Sequence, residues 1–121
     1  LERFPGLKLV SAENDIGWIA HYLNRLDMSY ETLRYIDPTS ITMLPSEYFK
    51  RQVYATFQDD RPGVLTSQLV GEDNFMWASD FPHRASTWPN SRAVVEQNFT
   101  NISAEVKRKI TYDNIHRLYG L

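Results

Sequence analysis

The chain has 121 residues, a formal net charge of −2 and no cysteine. This length corresponds to about one domain, and a hydrophobic content of 42% favours a folded core over disorder. The small negative charge gives no basis for binding nucleic acid or an anionic membrane surface. The lack of cysteine excludes disulfides and thiolate metal sites and is compatible with a cytoplasmic location. No apolar stretch approaches the ~18 residues that a membrane span needs.

The first predicted unit is a strand followed by a helix. Residues 7–12 (LKLVSA) are mostly apolar and follow the Pro5-Gly6 turn, which predicts a strand. A helix is predicted from Ile16 to about Leu26, because apolar residues recur at helical spacing. The same spacing continues to Ile36, and we expect Asp37-Pro38 to end the helix. Two prolines then mark a loop over residues 38–45, with a short helical turn beginning at Pro45.

Two further units repeat this order. Residues 53–57 (VYATF) predict a strand, and Asp60 is expected to cap a helix that ends at Gly71. Residues 75–79 (FMWAS) predict a third strand, followed by a long polar loop and a helix near residues 89–99. Ser103 is placed to cap a last helix, and residues 115–119 are expected to form a short closing turn before Gly120.

The alternation of strands and helices predicts an α/β fold with a parallel sheet. Short strand–helix–strand connections are right-handed and place parallel strands side by side. The strands are almost continuously apolar, as in sheets covered on both faces. We therefore expect three parallel strands in sequential order with the helices on one side.

Acidic residues follow each predicted strand, where parallel sheets bind their ligands. Glu13 follows the first strand, Asp59 and Asp60 the second, and Asp80 with His83 the third. Such a rim would suit a hard or borderline cation. Asp60 is expected to serve as a helix cap, and Glu13 is equally compatible with a solvated loop residue. Asp80 has no helix within capping reach, which makes it the strongest candidate.

Other candidate residues and sites carry less weight. His21 and His116 lie within helical patterns and are expected on the surface or in packing contacts. Trp77 and Trp88 are expected in core and loop packing. No glycine-rich phosphate loop follows a strand, which disfavours a nucleotide-binding module, and no serine has the setting of a nucleophile elbow.

Three segments together resemble the C-terminal part of the amidohydrolase-2 family. They are FPGLKLVSAENDIGWI, PSEYFKRQVYATFQDD and GEDNFMWASDFPHRASTWPNS, and the closing NIHRLYGL is also similar. The family contains aminocarboxymuconate-semialdehyde decarboxylase-like metal-dependent hydrolases and decarboxylases. The resemblance implies a TIM barrel in which residues 1–121 form a single partial domain with strands six to eight.

The resemblance also implies roles for three residues. Asp80 would bind a divalent metal, usually zinc, and help to handle the proton of the metal-bound water. Glu13 stands where many members have a histidine that acts as general acid or base, and a glutamate can take that role if burial raises its pKa. His83 would line the catalytic pocket beside Asp80.

The family's His-X-His pair and a further histidine ligand have no counterpart among His21, His83 and His116. A zinc site needs about three protein ligands, so we expect this chain to bind metal weakly or not at all and to be inactive by itself. The small-molecule substrate, and the choice between hydrolysis and decarboxylation, stay open. The alternative is a non-catalytic small α/β protein that binds a ligand or partner. An unclosed sheet would expose apolar strand residues, including some of Leu9, Tyr54, Phe57, Phe75 and Trp77, and favour a homo-oligomer.

Overall fold

Three short parallel strands form the sheet in the computed structural model, which describes residues 1–36 and 40–121. They are β1 (Leu9–Ser11), β2 (Val53–Phe57) and β3 (Phe75–Trp77), in the order β1-β2-β3. This confirms the expected three parallel strands in sequential order. The outer strands are shorter than the predicted 7–12 and 75–79, because each pairs with β2 over only three residues.

Six α-helices are present in the described ranges: α1 (Ile19–Leu33), α2 (Pro45–Gln52), α3 (Arg61–Val70), α4 (Ser91–Asn98), α5 (Ala104–Arg108) and α6 (Asn114–Tyr119). A 3-10 turn (Glu72–Asn74) precedes β3, and a π-helical turn (Lys109–Asp113) joins α5 to α6. None of these helices is long and apolar enough to cross a membrane.

Several helix limits differ from the predictions for identifiable reasons. The first helix begins at Ile19, not Ile16, because the N–H of Ile16 is bound by the Asp60 side chain before the helix starts. The expected stop at Asp37-Pro38 lies outside the described residues. The turn predicted at Pro45 is a full helix, since Pro45 favours a helix start and the Glu47 carboxylate accepts from Leu44 N–H.

The C-terminal region also departs from its prediction. The short turn expected at residues 115–119 is the helix α6, and Gly120 ends it with a left-handed backbone at φ 69°. By contrast, the predicted caps are confirmed. The Asp60 side chain accepts from Gly63 N–H at the start of α3, and the Ser103 side chain accepts from Val106 N–H at the start of α5.

One face of the sheet carries the main core. Ala55, Phe57 and Phe75 pack in a single buried cluster with residues of α1, α2, α3 and the C-terminal helices, so the helices share one side of the sheet as expected. Side chains alternate along a strand, which places Tyr54 and Met76 on the opposite face. Of the strand residues named as candidates for the open side, Tyr54 therefore lies there, whereas Phe57, Phe75 and Trp77 pack against the helices.

Buried amide side chains join the helices to the strand ends. The Asn74 amide donates to the carbonyls of Phe49, Lys50 and Val53, and the Asn114 amide donates to those of Glu72 and Phe75. These bonds satisfy carbonyl groups at helix ends and in turns that would otherwise be buried without partners. They fix the segments before β2 and β3, and so fix where each strand delivers its last residues.

Candidate functional site

Asp80 follows β3 at the carboxyl edge of the sheet. Its side chain is only 10% exposed, and its backbone has a left-handed φ of 59°. Aspartate is one of the few non-glycine residues that adopt this conformation readily. The chain therefore turns sharply after β3, and the Asp80 carboxylate does not cap a helix.

His83 pairs with Asp80 across this turn. The His83 Nδ1 atom lies 3.0 Å from Asp80 Oδ2, and the backbone N–H of His83 donates to the backbone carbonyl of Asp80 at 2.8 Å. The imidazole is 68% exposed, whereas the carboxylate is nearly covered. The two candidate residues thus lie together, and the contact holds one carboxylate oxygen in a fixed direction.

The loop between β3 and α4 is tied back to its own start. The Ser79 carbonyl accepts from the Ser86 hydroxyl at 2.7 Å and from Thr87 N–H at 3.1 Å. Phe81 and Trp88 then pack ring against ring at 5.3 Å, and both remain more than half exposed. The loop is thus a closed unit that presents two aromatic side chains beside Asp80.

Glu13 lies in the β1–α1 loop and is exposed. Its backbone is also left-handed, at φ 61°, and its N–H donates to the Thr56 hydroxyl of β2 at 3.0 Å. The loop is therefore attached to the middle strand. The described residues do not provide the burial that an acid or base role for Glu13 would require.

The carboxylates that follow β2 do not take part in the predicted acidic rim. Asp60 is buried, and its Oδ2 atom accepts from Ile16 N–H at 2.7 Å and Gly17 N–H at 2.6 Å. Asp59 accepts from the Asn98 amide at 2.8 Å. The expectation of convergent carboxylates at all three strand ends is thus wrong for β2: backbone donors engage both oxygens of Asp60, the Asn98 amide engages one oxygen of Asp59, and no three acidic or histidine side chains group together in the described residues.

The remaining histidines lie elsewhere. His21 is exposed on α1, and the His116 ring packs on Tyr112 at 4.0 Å near the end of the chain. Trp77 packs against the core, and its indole N–H donates to the Gln58 carbonyl. Across residues 1–36 and 40–121, no three His, Asp or Glu side chains form a group that could hold a metal ion.

This donor set fits one part of a divalent-metal site. Asp80 offers a nearly covered carboxylate with a fixed orientation, an oxygen ligand suited to manganese, magnesium or zinc. His83 already contacts one of its oxygens, which resembles the outer contacts that orient metal ligands. Asp80 could therefore serve as one ligand, and the others would have to come from outside the described residues.

Sequence reasoning missed the residues that support this site. Thr56 binds the loop of Glu13, and Ser79 and Ser86 close the loop after Asp80. Thr56 alternates with the core-facing Ala55 and Phe57, a signal that its hydroxyl lies on the opposite face of the sheet. Ser86 has no comparable signal in the sequence, because the hydrogen bonds within a loop follow no regular residue spacing.

Comparison with known proteins gives a family and a fold. The Amidohydro_2 family model, described as amidohydrolase, matches residues 1–121. No curated protein sequence matches the chain. Among solved structures, a 5-carboxyvanillate decarboxylase from Sphingomonas paucimobilis is 24% identical with a TM-score of 0.80. An amidohydrolase from Mycobacterium avium subsp. paratuberculosis K-10 is 25% identical with a TM-score of 0.75.

A third structure carries bound ligands. It is a dihydroxybenzoic acid decarboxylase from Polaromonas sp. JS666 with manganese and the inhibitor 2-nitroresorcinol, 18% identical with a TM-score of 0.77. The alignments with the Sphingomonas and Polaromonas structures each include 99% of this chain, and the alignment with the Mycobacterium structure includes 97%. The chain spans only 36% of the length of the Sphingomonas and Polaromonas proteins and 29% of the Mycobacterium protein. The chain belongs to the amidohydrolase family and has the fold of the C-terminal strand–helix units of its barrel.

Proposed function

We propose that residues 1–121 form the metal-ligand-bearing C-terminal part of a metal-dependent decarboxylase of the amidohydrolase family. The observation that carries this proposal is Asp80, a nearly covered carboxylate that follows β3 in a left-handed turn and is oriented by His83. His83 contacts only the Oδ2 atom of this carboxylate, and a divalent cation would be a suitable further partner for a group so nearly covered.

The relatives support decarboxylation over hydrolysis. Two of the similar structures are decarboxylases of carboxylated phenols, and one of them contains manganese. We therefore propose a small aromatic carboxylate as the substrate class and a divalent metal as the cofactor. Zinc, which the sequence resemblance implied, and manganese are both compatible with a carboxylate oxygen ligand.

A complete barrel would give separate roles to Asp80, His83 and Glu13. Asp80 would hold the cation, which supplies positive charge to polarise and orient the bound substrate. His83 would fix the direction of the Asp80 carboxylate through its Nδ1 contact. When the substrate's carbon–carbon bond breaks and carbon dioxide leaves, the ring carbon takes up a proton. Glu13 is proposed as the group that delivers it, once further chain covers its exposed side chain.

The test is an Asp80→Ala substitution in an enzyme in which residues 1–121 complete an eight-stranded barrel. We expect bound manganese or zinc, measured by elemental analysis, to fall together with carbon dioxide release from 5-carboxyvanillate or a dihydroxybenzoate, the substrates that the names of the similar decarboxylases give. Asp59→Ala is the matched control, since Asp59 follows β2 and contacts Asn98. Unchanged metal content and turnover in Asp80→Ala would contradict the proposal.

The alternative is a non-catalytic protein that binds a ligand or partner. It is favoured by an apolar groove of about 480 Å³ beside β1, which lies away from Asp80. In that case the completed barrel would bind no stoichiometric metal and release no carbon dioxide, so the same measurements separate the two functions.

A further inference from the structure

Thr56 places a hydroxyl group on the interior face of the barrel. It is the only residue of β2 and β3 with a short polar side chain, and it lies between Ala55 and Phe57. Because Ala55 and Phe57 pack against the helices, alternation along the strand directs Thr56 to the opposite face. The helices of a strand–helix barrel lie outside the strands, so the face that carries Thr56 is the interior one.

Thr56 also lies between the two strands that lead to the candidate site residues. β1 leads to Glu13 and β3 leads to Asp80, and β2 pairs with both strands. Thr56 is the penultimate residue of β2 and pairs in register with Met76 of β3. Its half-buried side chain is therefore close to the carboxyl edge of the sheet, where barrels of this kind bind their substrates.

The Thr56 hydroxyl uses only part of its hydrogen-bonding capacity within the described chain. Its oxygen accepts from the backbone N–H of Glu13 at 3.0 Å. A hydroxyl has one donor and two acceptor positions, so this bond leaves the proton of the Thr56 hydroxyl available. Among residues 1–36 and 40–121, no group accepts that proton. The hydroxyl is thus held on one side by Glu13 and has a free donor on the other.

The reaction proposed above identifies the substrate atom that would lie beside this donor. The ring carbon that takes up a proton from Glu13 is the carbon from which the carboxylate group leaves. A hydroxyl that is bonded to the backbone of Glu13 is therefore near this carboxylate when the substrate is bound. Carboxylate oxygens are strong acceptors for a hydroxyl proton.

We propose that Thr56 is a substrate-binding residue whose hydroxyl donates to the carboxylate of the aromatic substrate. This inference rests on the proposed function. The bond from Glu13 N–H orients the hydroxyl, and the hydroxyl in turn orients the substrate carboxylate relative to Glu13. A serine at this position would keep both hydrogen bonds. A valine would keep the shape of the side chain and lose both.

Binding of 2-nitroresorcinol to the completed barrel tests the contact without turnover. The compound is the inhibitor in the Polaromonas structure, and its nitro group has the planar shape and the two oxygens of a carboxylate. Resorcinol lacks the nitro group and serves as the comparison compound. We expect Thr56→Val to weaken 2-nitroresorcinol binding by about three- to tenfold, as loss of a hydrogen bond between neutral groups does. Resorcinol binding should be unchanged, and isothermal titration calorimetry measures both affinities.

Release of carbon dioxide from a dihydroxybenzoate should respond to the same variants. Thr56→Val should lower kcat/KM by at least about tenfold, because the substrate carboxylate is charged. Thr56→Ser should restore both kcat/KM and inhibitor binding. Thr66→Val is the matched control, since the half-buried Thr66 donates to the Pro62 carbonyl on α3, on the outer side of the sheet. Circular dichroism and elemental analysis verify that each variant is folded and contains metal.

The opposite results overturn the proposal. Unchanged 2-nitroresorcinol affinity in a folded Thr56→Val protein would exclude the hydrogen bond. Equal losses for 2-nitroresorcinol and resorcinol would show that the substitution disturbs the whole site and removes no specific contact. If Thr56→Val does not fold, Thr56→Ala decides the result. A parent barrel that neither holds metal nor releases carbon dioxide would instead overturn the proposed function, and the role of Thr56 with it.

Discussion

The carboxylate of Asp60 holds the backbone of Gly17, whose N–H donates to Asp60 Oδ2 at 2.6 Å. The same oxygen accepts from Ile16 N–H, and Oδ1 accepts from Gly63 N–H at 2.9 Å. One buried side chain thus joins the start of α1 to the start of α3. It satisfies three backbone donors that come from two different strand–helix units.

We expect Asp60→Ala to lower the free energy of unfolding by at least about 2 kcal/mol. Loss of a helix cap costs about 1 kcal/mol, and hydrogen bonds to a charged group contribute about 1.5–3 kcal/mol. Chemical denaturation monitored by circular dichroism measures the change. Asp59→Asn is the control and should remain within about 0.5 kcal/mol, because an amide oxygen can still accept from Asn98. Equal stabilities of the two variants would contradict the assigned role of Asp60.

Two glycines form a matched pair for a test of close packing. A Cβ atom on Gly63 would collide with Ile16 Cγ1 and would lie 2.5 Å from Asp60 Oδ2. A Cβ atom on Gly6 would meet nothing within 4 Å. We expect Gly63→Ala to destabilise the fold by about 1–3 kcal/mol, as overpacking does. Gly6→Ala should change the unfolding midpoint little. A neutral Gly63→Ala would show that the two units are less tightly joined than the structure indicates.

Metal binding by the 121-residue chain is expected to be weak. Asp80 supplies one carboxylate, and the described residues hold no group of three ligands. A structural or catalytic zinc site needs about three protein ligands. Dialysis against manganese or zinc, followed by elemental analysis, should therefore leave less than one equivalent bound. Stoichiometric metal that disappears in Asp80→Ala would contradict this ligand count.

Acid should weaken the attachment of the N-terminal segment through Glu2. The hydroxyls of Tyr48 and Thr42 donate to the Glu2 carboxylate and hold its pKa below the ordinary value of 4.5. A lowered folded-state pKa means that the stabilisation is present above the unfolded pKa and is lost as pH falls through the folded one. Denaturation midpoints measured from neutral pH down into this acid range should fall less steeply in Glu2→Gln. Identical slopes for the two proteins would exclude the Glu2 contribution.

The sequence predicted the parts of the fold that depend on local pattern. The strand centres, the parallel order and the caps at Asp60 and Ser103 follow from apolar runs and from side chains that bind nearby backbone groups. The sheet faces of Phe57, Phe75 and Trp77 were not predicted, because β2 and β3 are almost continuously apolar and Thr56 is the one polar residue in them that marks a face.

The candidate site was predicted only where its residues are close to each other in the chain. Asp80 and His83 are close in the chain, so a single turn brings them together. The contacts of Asp60 with Ile16 and Gly17 join residues more than forty positions apart. Glu13 is likewise attached through Thr56 of another strand. Spacing within one segment cannot reveal such contacts, since they depend on how neighbouring strand–helix units pack.

The left-handed backbone at Asp80 restricts which amino acids can evolve at this position. At φ 59° the residues with the lowest conformational cost are glycine, asparagine and aspartate. Only aspartate among these also carries a negative charge. A change to glutamate, which chemical similarity tables score as conservative, would keep the charge but oppose the local geometry and lengthen the side chain. Glutamate does adopt this backbone elsewhere in the chain, at Glu13, so selection for a carboxylate at position 80 is expected to favour aspartate without excluding glutamate.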